Sequence, residues 1–96
     1  MNNSTVIMAT MPCMTKDGCK EVNVLFPMEL KNKIGRYMFT YSLKKIFPEL
    51  EISDDIPDES YIKMSIINLE QTTIDSNYTR KFTEDIKKEL DSLIGF

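Results

Sequence analysis

The sequence predicts an α+β fold: a small antiparallel sheet with two helices packed on one face. Two strand-like segments flank an Asp-Gly turn, a third strand-like segment covers 61–68, and two later segments show the apolar spacing of helices. The predicted order is ββαβ(β)α, where the optional fourth strand lies at 71–74. A chain of 96 residues makes one domain, 1–96.

The first two strands are predicted to form a β-hairpin. Residues 5–12 form the first predicted strand, in which Ile7, Ala9 and Met11 share one face. Residues 20–26 form the second, with Val22, Val24 and Phe26 inward and polar residues outward. Asp17-Gly18 between them is a strong signal for a hairpin turn. Pro12 has no N–H to donate, so it ends the first strand or places it at an edge of the sheet.

A single long helix is predicted over 27–47, bounded by Pro27 and Pro48. It has two apolar stripes on opposite sides. One stripe can face the sheet, and the other must be covered by the second helix or by another molecule. The first stripe contains Leu30, Ile34, Tyr37 and Tyr41. The second is predicted to form a homodimer interface unless the second helix covers it, and it contains Met28, Gly35, Phe39, Leu43 and Ile46.

The second half of the chain is predicted as a loop, a strand and a helix. The loop over 48–60 should lie on the domain through Leu50, Ile52 and Ile56. In the strand, Ile62, Met64 and Ile66 share one face. The second helix should begin near 75–77 and end at a Gly95 cap. Its predicted apolar stripe contains Tyr78, Phe82, Ile86, Leu90, Leu93 and Ile94.

The loop after the long helix is rich in carboxylates and has no basic residue. One interpretation is a partner-facing segment that mimics nucleic-acid phosphates, as in a small acidic inhibitor; the alternatives are a solvated loop or a metal-binding loop. A metal-binding loop is disfavoured because the ligand spacing and mid-loop glycine of an EF-hand are missing. The carboxylates are Glu49, Glu51, Asp54, Asp55, Asp58 and Glu59.

Basic residues are concentrated in the predicted long helix. Lys33, Arg36 and Lys44 alternate with tyrosines and could bind nucleic acid. The net charge of −3 and the lack of a helix-turn-helix or RNA-binding signature oppose this. Pairing with the acidic loop within the same chain is the other interpretation.

The residue types exclude most familiar catalytic sites. There is no histidine, which removes the common general base and the usual zinc sites, and there is no glycine-rich phosphate loop. Cys13 and Cys19 would face each other across a five-residue loop but not across a two-residue one. Since a reducing cytoplasm favours free thiols, we expect no disulfide, and we expect no cofactor and no metal.

Composition predicts a cytoplasmic protein from an AT-rich genome. No apolar run is long enough to span a membrane, and the N-terminal residues lack the pattern of a signal peptide. Ile, Lys and Asn are abundant, whereas Ala and Arg are rare, as in low-GC bacteria, their phages and some protists. The sequence therefore predicts a small non-enzymatic regulatory protein that binds and modulates another macromolecule, with a protein as the expected partner. A phage-type inhibitor of a host protein is one form of this prediction, and the alternative is a small nucleic-acid-binding regulator.

Overall fold

The computed structural model describes residues 4–54 and 59–94, in which a four-stranded sheet carries two helices. The strand order β3-β1-β2-β4 and the chain order ββαββα confirm the predicted α+β fold. The strands are β1 (Thr5–Thr15), β2 (Gly18–Pro27), β3 (Lys63–Asn68) and β4 (Thr79–Lys81), and the helices are α1 (Arg36–Ile46) and α2 (Glu84–Ile94). Short 3-10 turns cover Met28–Leu30, Pro48–Leu50 and Glu59–Tyr61.

The β1–β2 hairpin forms as predicted and is longer than the sequence pattern indicated. Thr15 lies opposite Gly18, so the loop is the two residues Lys16 and Asp17. Gly18 adopts a φ of +100°, a value that glycine tolerates and other residues avoid. The Thr15 hydroxyl accepts the Asp17 N–H at 3.0 Å and donates to the Gly18 carbonyl at 2.9 Å, which fixes the turn.

One core lies between the sheet and the helices. The inward side chains of β1 and β2 are almost fully buried, as their alternation predicted. Side chains of both helices join the same cluster, which confirms that the helices share one face of the sheet. Its members include Ile7, Ala9, Met11, Val22, Val24, Phe26, Phe39, Leu43, Ile86 and Leu90.

The sheet is mixed, so the prediction of a fully antiparallel sheet was wrong. β4 pairs parallel to β2, and it lies at Thr79–Lys81 rather than at 71–74. The Asn23 side chain donates to the Thr79 hydroxyl at 2.8 Å, and the Asn23 N–H donates to the Tyr78 carbonyl at 2.8 Å. These bonds hold a three-residue strand that has no apolar alternation of its own.

The predicted long helix is broken into two parts. A 3-10 turn at Met28–Leu30 is followed by non-helical residues, and α1 begins only after Gly35. Gly35 is extended and its carbonyl accepts the Phe39 N–H at 2.9 Å, so it caps the helix rather than lying inside it. Asn32 and Gly35 have poor helix propensity, which favours the break. Both Leu30 and Phe39 are buried in the same core.

Helix α2 also begins later than the sequence predicted. Thr83, not a residue of 75–77, caps it, since the Thr83 hydroxyl accepts the Ile86 N–H at 3.3 Å. Phe82, Ile86 and Leu90 are buried as predicted, whereas Leu93 is exposed. Gly95 lies outside the described residues.

The segment after α1 follows the hairpin. The Lys16 N–H donates to the Leu50 carbonyl at 2.9 Å, and the Ser53 N–H donates to the Met14 carbonyl at 2.9 Å. Leu50 is buried and Ile52 packs against the core, as predicted, while Ile56 lies outside the described residues.

Candidate functional site

The stripe predicted to mediate self-association lies in the core of the chain itself. Phe39 and Leu43 are fully buried, and Met28 and Ile46 pack against the same cluster. Gly35 caps α1 instead of offering a close approach to a second helix. Phe39 and Leu43 therefore present no surface to another copy, and Met28, Gly35 and Ile46 are only partly exposed, so this stripe is used mainly within the chain.

The other apolar stripe of α1 carries the exposed aromatic side chains. Tyr37 has 54% of its surface exposed and Tyr41 is half-buried. Their rings stack, with centroids 6.3 Å apart and planes inclined by 18°. Because the two tyrosines are one turn apart, α1 holds this pair in a fixed orientation.

Two neighbouring depressions meet at Tyr41. One has a volume of about 490 Å³, and the other of about 420 Å³. We call the combined surface the tyrosine face. Its residues are Arg36, Tyr37, Thr40, Tyr41, Lys44 and Asp54 around the first depression, and Lys88, Glu89, Ser92 and Leu93 beside Tyr41 around the second.

Charges of both signs surround the tyrosine pair. The Tyr41 hydroxyl donates to Glu89 Oε2 at 2.8 Å. This hydrogen bond is the main cause that raises the pKa of Tyr41, and partial burial of the hydroxyl is the second. Lys45 Nζ lies 3.6 Å from the same carboxylate and 5.6 Å from the centre of the Tyr41 ring. Lys44 forms an ion pair with Asp54. The tyrosine face thus combines exposed aromatic surface with a mixed-charge rim.

The residues of the predicted nucleic-acid site are only partly brought together. Arg36 and Lys44 both line the first depression, whereas Lys33 lies in the turn before α1 and is exposed. Two of the neighbouring cations, Lys44 and Lys45, are paired with carboxylates. Of the three predicted residues, Lys44 is therefore compensated by a carboxylate of the same chain.

The acidic segment begins with a carboxylate held by the body of the domain. Glu49 pairs with Arg80, whose guanidinium lies 4.6 Å from the centre of the Phe47 ring and donates to the Ile46 carbonyl at 2.6 Å. A hydrogen bond from the Glu49 backbone N–H to its own carboxylate is the main cause that lowers the pKa of Glu49, and the Arg80 guanidinium lowers it further. Glu51 is exposed and adopts a left-handed conformation with φ of 49°.

The remaining predicted carboxylates do not form a described cluster. Asp54 pairs with Lys44 and lies at the edge of the tyrosine face. Asp55 and Asp58 lie outside the described residues, and Glu59 begins a 3-10 turn. The partner-facing role of this segment stays a prediction.

The two cysteines lie on opposite faces of the hairpin. Cys13 pairs with Lys20 and is buried, while Cys19 pairs with Met14 and is exposed. Both thiols are free, and they do not face each other because the loop has two residues. Burial, and then the neighbouring Cys19, raise the pKa of Cys13 to about 11.

Sequence reasoning named Tyr37 and Tyr41 but did not identify them as the aromatic side chains of α1 that reach the surface. Both stripes are apolar, so periodicity alone could not choose between them. The residue types could have indicated which aromatic side chains reach the surface. A tyrosine hydroxyl can hydrogen-bond to water, whereas the phenylalanine of the other stripe has no polar group.

The described residues add neither a metal site nor a membrane-spanning helix. Among residues 4–54 and 59–94, no group of three or more Cys, Asp or Glu side chains is placed to hold a metal ion. Neither described helix has the length and apolar character needed to cross a membrane. Comparisons with protein-family models, curated proteins and solved structures give no match to this chain.

Proposed function

We propose that this chain is a non-enzymatic regulatory protein of the cytoplasm that binds a protein partner through the tyrosine face. The observation that supports the proposal is the Tyr37–Tyr41 stack at the meeting point of two depressions, in which Tyr37 is exposed and Tyr41 is half-buried. Tyrosine and arginine are enriched among the residues that contribute most to protein interfaces, and Arg36 lies beside Tyr37. An aromatic centre within a polar rim is the usual anatomy of such interfaces.

The charges favour a protein partner over a nucleic acid. Nucleic-acid surfaces need uncompensated cations that release counterions from phosphates. Here Asp54 and Glu89 lie within the same surface and pair with Lys44 and Lys45. The whole chain has a net charge of −3, which also disfavours attraction to phosphates.

The acidic segment can extend this surface. Asp54 already borders the first depression, and the chain continues from it into Asp55 and Asp58. A basic partner would then contact both the tyrosines and these carboxylates. With this extension, the proposal includes an inhibitor that occupies a basic groove on its target.

Affinity capture with matched tyrosine variants tests the proposal. Tyr37→Ala removes the exposed ring of the tyrosine face, and Tyr61→Ala removes an equally exposed ring, 58% accessible, from a different turn. We expect the wild type and Tyr61→Ala to retain the same protein from nuclease-treated lysate, and Tyr37→Ala to lose it. Equal retention by both variants would contradict the proposal.

The nucleic-acid alternative has its own measurement. Fluorescence anisotropy with labelled single-stranded DNA and RNA would show binding that weakens steeply with salt if Lys33, Arg36 and Lys44 contact phosphates. Replacing the three by Gln should then abolish the signal. Absence of salt-dependent binding by the wild type would remove this alternative.

A further inference from the structure

The edge of β3 is open and apolar. β3 is the end strand of the sheet and pairs only with β1 among the described strands. Met64 and Ile66 point to the same face as Ile7 and Ala9, but more than half of each side chain is exposed. They border a depression of about 350 Å³ that Lys31 and Asn32 also line. Long exposed edges of this kind are templates for pairing with another strand.

The register shows which backbone groups of β3 face outward. The Leu69 N–H donates to the Ser4 carbonyl at 2.8 Å, and the pairing continues without interruption to Lys63 opposite Thr10. Hydrogen-bonded and non-hydrogen-bonded pairs alternate along an antiparallel ladder. Lys63, Ser65 and Ile67 therefore bond to β1. Met64, Ile66 and Asn68 direct their N–H and C=O groups away from the sheet.

Asn68 is already engaged in the turn that follows β3. Its carbonyl accepts the Gln71 N–H at 3.1 Å, and its side chain accepts the Glu70 N–H at 2.9 Å. Within the strand, Met64 and Ile66 are thus the two residues whose outward groups are placed for a new partner. They lie symmetrically about Ser65.

The other edges of the sheet are protected. The β1–β3 ladder ends at Thr10, and two residues later Pro12 has no N–H to offer on that side. Further along, Met14 and Lys16 bond to the 50–53 segment. At the opposite edge, β4 has only three residues. The β3 edge differs from these in length and in apolar character.

We propose that a second copy of this chain pairs antiparallel with β3 about a twofold axis at Ser65. Met64 then lies opposite Ile66 of the second copy, and the outward groups of these two residues in both chains form four N–H···O bonds. The apolar side chains of both copies meet on the helix side of a continuous eight-stranded sheet. On the other face Lys63 lies opposite Ile67 of the second copy, so no like charges are directly opposed.

This pairing does not depend on the proposed function. The two surfaces share no residue, and the dimer would present two copies of the tyrosine face. The sequence predicted self-association through a stripe of α1, whereas the pairing proposed here uses a different surface, the accessible edge of β3.

Cysteine cross-linking tests the dimer and its register. In a Cys19→Ser background, Ser65→Cys places two thiols across the axis in a non-hydrogen-bonded pair, where Cα atoms are about 4.5 Å apart. A disulfide accepts Cα separations of about 4.4 to 6.8 Å. The matched control Lys63→Cys separates its two thiols by four residues along the strands, about 13 Å. We expect rapid cross-linking of Ser65→Cys alone.

Two results would overturn the proposal. Fastest cross-linking by Met64→Cys or Ile66→Cys would contradict the register. Equally slow cross-linking of all four variants, together with a wild-type mass of one chain by light scattering at every concentration, would contradict the dimer.

A proline variant separates pairing from folding. Ile66→Pro removes an outward N–H and leaves the bonds of β3 to β1 intact. We expect its mass to fall from two chains to one with an unchanged far-UV circular dichroism spectrum. Ile67→Pro removes an inward N–H and should instead lower the unfolding temperature. A dimeric Ile66→Pro variant would contradict the proposal.

Discussion

Strands β1 and β3 present apolar side chains to the same face of the sheet, yet only those of β1 are covered. Ile7 lies directly opposite Ile66, and Ala9 lies opposite Met64. Ile7 has 2% of its surface exposed, whereas Ile66 has 54%. Two neighbouring isoleucines on one face therefore differ almost completely in their contact with water.

The difference arises from where the helices pack. The core cluster joins α1 and α2 to β1 and β2, and neither Met64 nor Ile66 belongs to it. Alternation in a strand decides which side chains share a face. It does not decide whether another element covers that face. An exposed apolar strand at an edge then indicates an interaction site.

The largest expected effect comes from truncating the two facing isoleucines. Ile7→Ala removes buried methyl groups and should lower the free energy of unfolding by about 2–5 kcal/mol. Ile66→Ala changes a side chain in water and should cost about 0.5 kcal/mol or less in the dilute protein. Urea denaturation monitored by circular dichroism measures both values.

The free-energy cost of Ile66→Ala also shows whether β3 is covered. An Ile66→Ala cost close to that of Ile7→Ala in dilute protein would mean that an element covers β3 within one chain. A cost that increases with protein concentration would instead indicate cover by a second copy, because association stabilises the folded state by mass action.

The fold was predictable where local signals were strong. The hairpin follows from the inward-facing apolar residues and the Asp17-Gly18 signal, although the loop is Lys16 and Asp17 and Gly18 begins β2. β4 was not predictable, because three residues held by Asn23 and Thr79 have no periodic pattern. The four-residue spacing of Tyr78, Phe82 and Ile86 also runs unchanged through a strand end and a helix start. Spacing alone therefore placed the start of α2 too early.

The candidate site was less predictable than the fold. The tyrosines belong to a recognisable helical stripe, but the choice of the exposed stripe depended on how α1 rotates against the sheet. That rotation is set by the burial of Phe39 and Leu43, a tertiary property. The β3 edge could not be anticipated either, because the sequence does not give the strand order. In the order β3-β1-β2-β4, β3 has one neighbour among the described strands.

Cys13 lies on the covered face of the hairpin and Cys19 on its open face, so the two thiols should differ in reactivity. With a thiol reagent in native buffer, Cys19 should react at once, while Cys13 should react only as the protein opens. The pKa of Cys13, raised from 9.0 to about 11 by burial, lowers its thiolate fraction about 100-fold at neutral pH in addition to blocking access. Cys19→Ser should therefore leave a protein that is unreactive until denaturant is added. Fast labelling of this variant would show that the covered face opens readily.

The smallest expected effect concerns the opposite edge of the sheet, where Arg80 of β4 lies over Phe47 and pairs with Glu49. The pKa of Glu49 is lowered in the folded protein from its ordinary value of 4.5, so this group stabilises the fold above that pH. The stabilisation should be lost as the pH falls through the folded-state pKa.

Glu49→Gln should consequently be slightly less stable than the wild type at neutral pH and equally stable in acid. Thermal unfolding of both proteins across this range measures the difference, which salt should reduce because the pair is partly exposed. Equal stability of the two proteins at neutral pH would mean that the Arg80 contacts with Phe47 and Ile46, rather than the Glu49 carboxylate, hold β4 at this edge.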